Sequence, residues 1–261
     1  MNLENEILEL LDQREVKRLK ANISILVKNI NGSKGMDFQY NSDLKIVAAS
    51  VIKIQIILAV LNEIYNDNLK LESKILVKKE DILKDTEIFV FGEKEYTVRE
   101  LISWMIIISD NTATNVLINY LGFPKINDYI TKTLSLENTV LQRLMLDKKA
   151  IKQGKNTYFS QDDMFLTLKK LFKKEILNEE LCDFAIKTLH NQRCKKIMKY
   201  LYQDNEFANK TGTFPGIVHD VGVFTINKKE IYVGISIYDH KDRDQANKVI
   251  GIIGKGIYKL F

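Results

Sequence analysis

Three short stretches of this 261-residue chain carry side chains that can do chemistry together. Ser50-Val51-Ile52-Lys53 puts a hydroxyl and an amine three residues apart at the head of the apolar run AASVIKIQIILAVL. A serine hydroxyl is a poor nucleophile until a neighbouring base takes its proton. On a helix, positions i and i+3 share one face, so the Lys53 amine can reach the Ser50 hydroxyl. The free N–H groups of a helix start also face developing negative charge, which suits half of an oxyanion hole. Ser109-Asp110-Asn111 breaks a strongly apolar helix and starts another, and Lys210-Thr211-Gly212-Thr213 lies in a strand-like segment. Each stretch also has an ordinary reading. The first is an N-cap with a solvated lysine, the second a cap between two helices, and the third a charged edge strand.

Serine and lysine at this spacing recur by chance, and the chain holds a second copy at Ser42 and Lys45. That copy sits in the polar run YNSDLK after a strand, where Ser-Asp is turn chemistry, and it is out of register with the other two motifs. Ser50 and Lys53 gain their meaning from company and order.

The ordered set resembles the active-site serine penicillin-recognising enzymes, and most closely the class A β-lactamases. The intervals between Ser50, Ser109 and Lys210 are similar to the family's, and so are the flanks Thr97-Val98-Arg99-Glu100-Leu101 and Thr112-Ala113, Asn115, Leu117 and Leu121-Gly122. The resemblance covers residues 20–260 and implies a serine hydrolase acylated at Ser50 by β-lactams or related acyl-peptide amides, with no metal or organic cofactor. It implies that Lys53 serves as base and that Ser109 passes a proton to the leaving nitrogen. Lys210 and Thr211 bind a substrate carboxylate, with Lys210 keeping Ser109 poised. Asn111 binds the substrate amide and Lys53. Gly212 lets a flat acyl-amide lie against the backbone, the N–H of Thr213 completes the oxyanion hole, and Asp110 holds the turn.

The pattern breaks in one place. The family carries a glutamate just after an arginine, in the loop that positions the deacylating water. Here Arg143 is in register and Met145 occupies the glutamate position, while Lys149 falls near the usual downstream asparagine. Methionine cannot accept a proton, and Glu137 and Asp147 are out of register. The expectation is normal acylation and slow deacylation. A D-alanyl carboxypeptidase, in which Lys53 itself serves deacylation, and an acylated sensor without turnover are the alternatives. His219 falls near a family arginine. It is either a carboxylate ligand when protonated or an ordinary strand histidine packed beside Asp220.

The elements that must hold these residues follow from hydrophobic periodicity. Helices are expected over 3–19, 50–66, 98–108, 112–121, 124–133, 161–173 and 178–190, with Ser160 as an N-cap, and a closing helix in RDQANKVIGIIGKGIYKLF. NISILVKNI and MDFQYN alternate around Asn31-Gly32-Ser33-Lys34-Gly35 as a hairpin, and three further strands follow residue 205, two of them joined at Asn227-Lys228-Lys229-Glu230. Sequential strands usually pair. The fold class is therefore α+β: a five-stranded antiparallel sheet with flanking helices, from residues 1–45 and 205–261, plus an inserted all-helical lobe over 46–204. The site is expected in the cleft between them. Trp104, Phe89 and Phe91 are expected in the core.

Composition bounds the rest. With 45% hydrophobic and 28% charged residues and only two prolines, the chain is that of a globular protein without long linkers. Its 39 basic residues are interleaved with 34 acidic ones, a solvated mixed surface that argues against nucleic acid as a partner. Cys182 and Cys194 cannot build a disulfide framework or metal cage and are expected as buried free thiols. His190, His219 and His240 lack metal-ligand spacing. MNLENEILELLDQREVKRLK lacks the basic and apolar regions of a signal peptide, and no apolar run spans a bilayer, so a cytoplasmic location without membrane partners is the expectation for the sequence as given.

Overall fold

A computed structural model describes residues 3–32, 37–201 and 206–261. A five-stranded sheet joins both ends of the chain: β1 (Asn22–Asn29), β2 (Phe38–Tyr40), β3 (Glu206–Phe214), β4 (Ile217–Ile226) and β5 (Lys229–Tyr238), in the order β2-β1-β5-β4-β3. Every pairing is antiparallel, with Ile25 opposite Ile235 and Gly212 opposite His219. The N-terminal part of the expected hairpin turn is present, with Gly32 at φ 77. Ser33, Lys34 and Gly35 lie outside the described residues.

The side-chain period of two separates the sheet's faces. Ile23, Ile25 and Val27 bury on one face with Val249, Ile250 and Ile253 of the closing helix, Arg243–Tyr258. Leu26, Val221, Val223 and Tyr232 bury on the other, against a large helical core centred on α2 (Lys53–Tyr65), whose residues Ile54 to Leu61 are almost all inaccessible. A helix buried all round needs no polar face, which accounts for the unbroken apolar stretch in its sequence. Around it stand α3 (Val98–Ile107), α4 (Asn111–Leu121), α5 (Gln161–Phe172) and α6 (Glu179–His190). Thr97 and Glu100 form a capping box at the start of α3, and Ser160 caps α5 by accepting from the Asp163 N–H.

Five expectations need correction, the last being that both cysteines are buried. The helix expected over 3–19 breaks at Gln13, whose backbone is extended at ψ 141, into Leu3–Asp12 and Arg14–Arg18. An unbroken helix would put Val16 half a turn round from Ile7, and the break lets both bury on the same side of the molecule. The helix expected from residue 50 opens with a 3₁₀ turn, Ala49–Ile52, and that expected over 124–133 ends in a π turn, Tyr129–Thr133. Phe89 packs edge-to-face with Tyr96 and Trp104, as expected, but Phe91 is 93% exposed. Both cysteines are free, with Cys182 buried and Cys194 exposed. Among the described residues, no helix is long and apolar enough to cross a membrane.

Candidate active site

Ser50 sits inside the 3₁₀ turn that leads into α2, and Lys53 is the first residue of that helix. Three residues per turn bring i and i+3 directly over one another, closer than an α-helix would. Ala49, at the head of the turn, is held at φ 48. Lys53 is fully buried, and its Nζ lies 2.8 Å from the Ser109 carbonyl, 2.9 Å from Asn111 Oδ1 and 3.2 Å from Ser109 Oγ. Lys210, also fully buried, donates from the opposite wall to Ser109 Oγ at 2.9 Å and to the Thr211 carbonyl at 3.0 Å. One hydroxyl thus bridges two amines delivered by different parts of the chain.

Burial decides their charge. Desolvation pushes Lys53 well below the ordinary lysine value, and the nearby Lys210 pushes it further, against opposing pulls from Asp110 and Asp85. Desolvation brings Lys210 down to about 7. Its two shortest contacts are to acceptors, the Ser109 carbonyl and Asn111 Oδ1, and burial favours the neutral amine, whose lone pair can take a proton from a hydroxyl. That is the state a base needs.

The same burial has a measurable consequence. An unfolded Lys210 titrates near 10.5 and the folded one near 7, so between those values the unfolded chain holds more protons. Unfolding free energy therefore rises with pH from about 7 to 10.5, and the whole penalty is present below 7. Urea titrations at successive pH values should show that rise, at up to about 1.4 kcal/mol per pH unit for this one proton. Lys210→Met should flatten it, and a variant as steep as the parent would contradict a neutral Lys210.

Ser109 adopts φ 63 between α3 and α4, an uncommon backbone for a residue with a Cβ. Asp110 fixes it there by capping α4 through the Ala113 N–H at 2.8 Å and accepting from Thr86 Oγ1 at 2.7 Å. Asn111 donates from Nδ2 to Asp85 at 2.8 Å, so its amide is held from both ends.

Gly212 also has a packing role. A Cβ there would point into the protein and come within 2.9 Å of the His219 ring, 3.1 Å of the Ala48 carbonyl and 3.3 Å of Ala49 Cβ. The missing side chain lets β3 close onto the segment that carries Ser50. Gly212→Ala is expected to cost about 1–3 kcal/mol by overpacking, lowering the melting temperature by several degrees together with the rate of Ser50 modification. An unchanged melting curve would show that the two segments have room to spare.

His219 resolves to the packed alternative. It is fully buried, its Nε2 lies 2.9 Å from the Val47 carbonyl and its Nδ1 lies 2.8 Å from Ser236 Oγ. A carbonyl only accepts, so Nε2 carries the proton and Nδ1 accepts from Ser236. Burial lowers its pKa to about 3, which keeps the ring neutral and unavailable as a cation for a carboxylate. It steadies the strand before Ser50. A lysine that sequence reasoning missed, Lys196, stands at this end of β3, where burial pushes its pKa down. Its Nζ reaches the Gly212 carbonyl at 3.0 Å and Thr213 Oγ1 at 3.1 Å. Asp85 was missed as well. Neither belongs to a motif, and both arrive through long-range packing.

Ser50, Asn111 and Thr213 line one cavity of about 360 Å³ with Arg143, Met145, Leu146, Lys148, Ile151, Phe214 and Pro215. Met145 is 6% exposed, and Asn115 clamps its backbone, accepting its N–H at 2.7 Å and donating to its carbonyl at 3.2 Å. Asp147 caps Lys148–Lys152 through the Ala150 N–H. The second serine-lysine copy stays apart: Ser42 Oγ donates to Asp162, and Lys45 lies over the Tyr158 ring. Among the described residues no group of histidine, cysteine and carboxylate side chains could hold a metal ion.

A family model described as the beta-lactamase enzyme family matches residues 2–261. The chain is 25% identical to the β-lactamase VEB-1 of Pseudomonas aeruginosa, over 97% of this chain and 90% of that one. It is 27% identical to a β-lactamase of Bacteroides uniformis, over 98% and 90%. The structure of PBP-A superposes with a TM-score of 0.87 at 21% identity, covering all of this chain and 96% of the other, and a PBP-A variant solved as its acyl-enzyme complex with penicillin G superposes at 0.83.

Proposed function

Because the chain belongs to the beta-lactamase enzyme family of hydrolases, we propose that it is a serine hydrolase of the class A type whose acyl-enzyme is long-lived. The observation that carries this reading is the Ser109 hydroxyl held between the Nζ atoms of Lys53 and Lys210. Both amines are desolvated, and Asn111, which accepts from Lys53, lines the same cavity as Ser50.

Ser50 Oγ attacks the carbonyl carbon of a β-lactam or acyl-peptide amide while Lys53 takes its proton. The N–H groups of Ser50 and Thr213 receive the oxyanion. The C–N bond then breaks, and Ser109 passes a proton from the lysine pair to the leaving nitrogen, which leaves an ester on Ser50. Lys210, Thr211 and Thr213 receive the substrate carboxylate, and Asn111 receives the acyl amide. Hydrolysis of the ester needs a base for water. At the position where the family carries its glutamate, this chain has the buried, apolar Met145, so the second half-reaction lags the first.

A carboxypeptidase, in which Lys53 activates the water, is the second reading. It is favoured by the same Met145, and PBP-A is a fold relative with a penicillin acyl-enzyme structure. Three measurements on the same protein separate the outcomes. Steady hydrolysis of a chromogenic cephalosporin identifies a working lactamase. A persistent mass increase of one penicilloyl group, with little turnover, identifies the slow enzyme proposed here, and D-alanine release from an acyl-D-alanyl-D-alanine peptide identifies the carboxypeptidase. A chain that shows none of these is not acylated at Ser50.

A further inference from the structure

A line of four fully buried polar side chains, Tyr232, Gln161, Ser236 and His219, ends at the strand in front of Ser50. Tyr232 Oη donates to Gln161 Oε1 at 2.5 Å, and Gln161 Nε2 lies 2.8 Å from Ser236 Oγ. His219 stands opposite Ser236 in the pairing of β4 with β5, with its Nδ1 2.8 Å from the serine oxygen. Its Nε2 stands 2.9 Å from the Val47 carbonyl. That carbonyl fixes the direction of every bond. It can only accept, so the ring proton sits on Nε2 and Nδ1 accepts from Ser236. A hydroxyl has one proton, so Ser236 in turn accepts from the Gln161 amide, whose oxygen is left for Tyr232. Any reversal would leave a buried nitrogen lone pair facing the Val47 oxygen.

The backbone is built around this line. Tyr232, Gly234 and Ser236 share one face of β5 by the strand period of two. A Cβ at Gly234 would collide with Gln161 Oε1 and Tyr232 Oη, so the bare position lets the amide cross the strand between the two hydroxyls. At the other end, Val47 closes the short strand Ile46–Val47, which pairs with Tyr158–Phe159. Ala49 follows shortly after, and its φ of 48 opens the 3₁₀ turn that carries Ser50. The peptide plane at Val47 therefore sets where that turn begins.

We propose that Gln161, Ser236 and His219 are positioning residues for Ser50. The line of bonds that begins at Tyr232 holds the Val47 carbonyl, and with it the turn that aims the nucleophile. The inference rests on acylation at Ser50 and adds residues that touch neither the substrate nor the reacting atoms.

Two readouts on the full chain test it. Nitrogen NMR of isotope-labelled protein should show His219 protonated at Nε2 and bare at Nδ1. A ring protonated at Nδ1 overturns the line of bonds, whatever Ser50 does. Labelling with benzylpenicillin, followed by intact mass, gives the maximal rate of adduct formation and the concentration at half that rate. Ser236→Ala removes the hydroxyl that holds His219. It should lower the maximal rate about three- to tenfold, the scale of one hydrogen bond, with the half-saturating concentration unchanged. Gln161→Met is close in size, breaks the line one step further from Ser50 and should lower the same rate by less. It also serves as the second variant should the first unfold. A merely structural role would lower the melting temperature and leave the rate per folded molecule as in the parent. A parent-like maximal rate in every variant that folds overturns the positioning role. A parent that forms no adduct overturns acylation at Ser50 and this role with it, and the His219 tautomer tells that failure from a failure of the line itself.

Discussion

Ser50→Ala is expected to abolish the proposed adduct: after incubation with benzylpenicillin the variant should retain its unmodified mass, while the parent should gain one penicilloyl group. Loss of a serine nucleophile costs on the order of 10⁶-fold where it has been measured in other serine hydrolases, which places the variant below detection. The expectation is sharp because the neighbouring hydroxyls are engaged. Ser42 is bonded to Asp162 and lies outside the cavity lining. Ser109 is the serious competitor, since two amines flank it. It is not among the lining residues, however, whereas Ser50 is one of them. A full-sized adduct on Ser50→Ala would sink the assignment, and peptide mapping would then be expected to place it on Ser109.

Met145→Glu is expected to shorten the life of the adduct by about 10²- to 10³-fold, the range a positioned general base contributes. Methionine and glutamate are similar in length, and Asn115 holds the residue by its backbone alone, so the exchange leaves that anchor intact. The new carboxyl enters the cavity that Ser50 lines, in a site with little solvent. Burial raises a carboxyl pKa toward neutrality, which costs some stability and improves its ability to take a proton from water. The decay of the penicilloyl mass with time is the direct readout. An adduct that persists as long as the parent's, on a variant that melts like the parent, would rule out Met145 as the cause of slow deacylation.

Much of this site was legible in the sequence because chemistry restricts residue type there. Ser50, Lys53, Ser109, Asn111 and Lys210 are the side chains whose atoms meet within hydrogen-bond distance or line the shared cavity. The last two strands were legible because a strand covered on both faces reads as a short, nearly continuous buried run bounded by turn residues. What could not be read is what depends on residues far apart in the chain. Lys196 reaches Thr213 only because the segment after α6 folds back along β3, and Asp85 meets Asn111 through a loop with no periodic signal. Gly212 announced a need for a bare backbone, but only packing reveals that the need comes from Ala48, Ala49 and His219. The break at Gln13 was hidden for a related reason. Helical spacing on both sides of it is sound, and only the burial of both Ile7 and Val16 shows that one straight helix cannot serve both.

The pairing of β1 with β5, which sets Ile25 against Ile235, has a kinetic consequence. Closing so large a loop carries an entropy cost that must be met before the paired strands contribute anything, and chains dominated by such distant contacts fold slowly. The helical core needs no such closure to begin forming. Ser50 belongs to that early-forming part, whereas Lys210 and Thr213 arrive on the sheet. During refolding, helical signal is therefore expected to recover ahead of the proposed capacity to take up penicillin, and covalent labelling would serve as a clock for the last long-range step of folding.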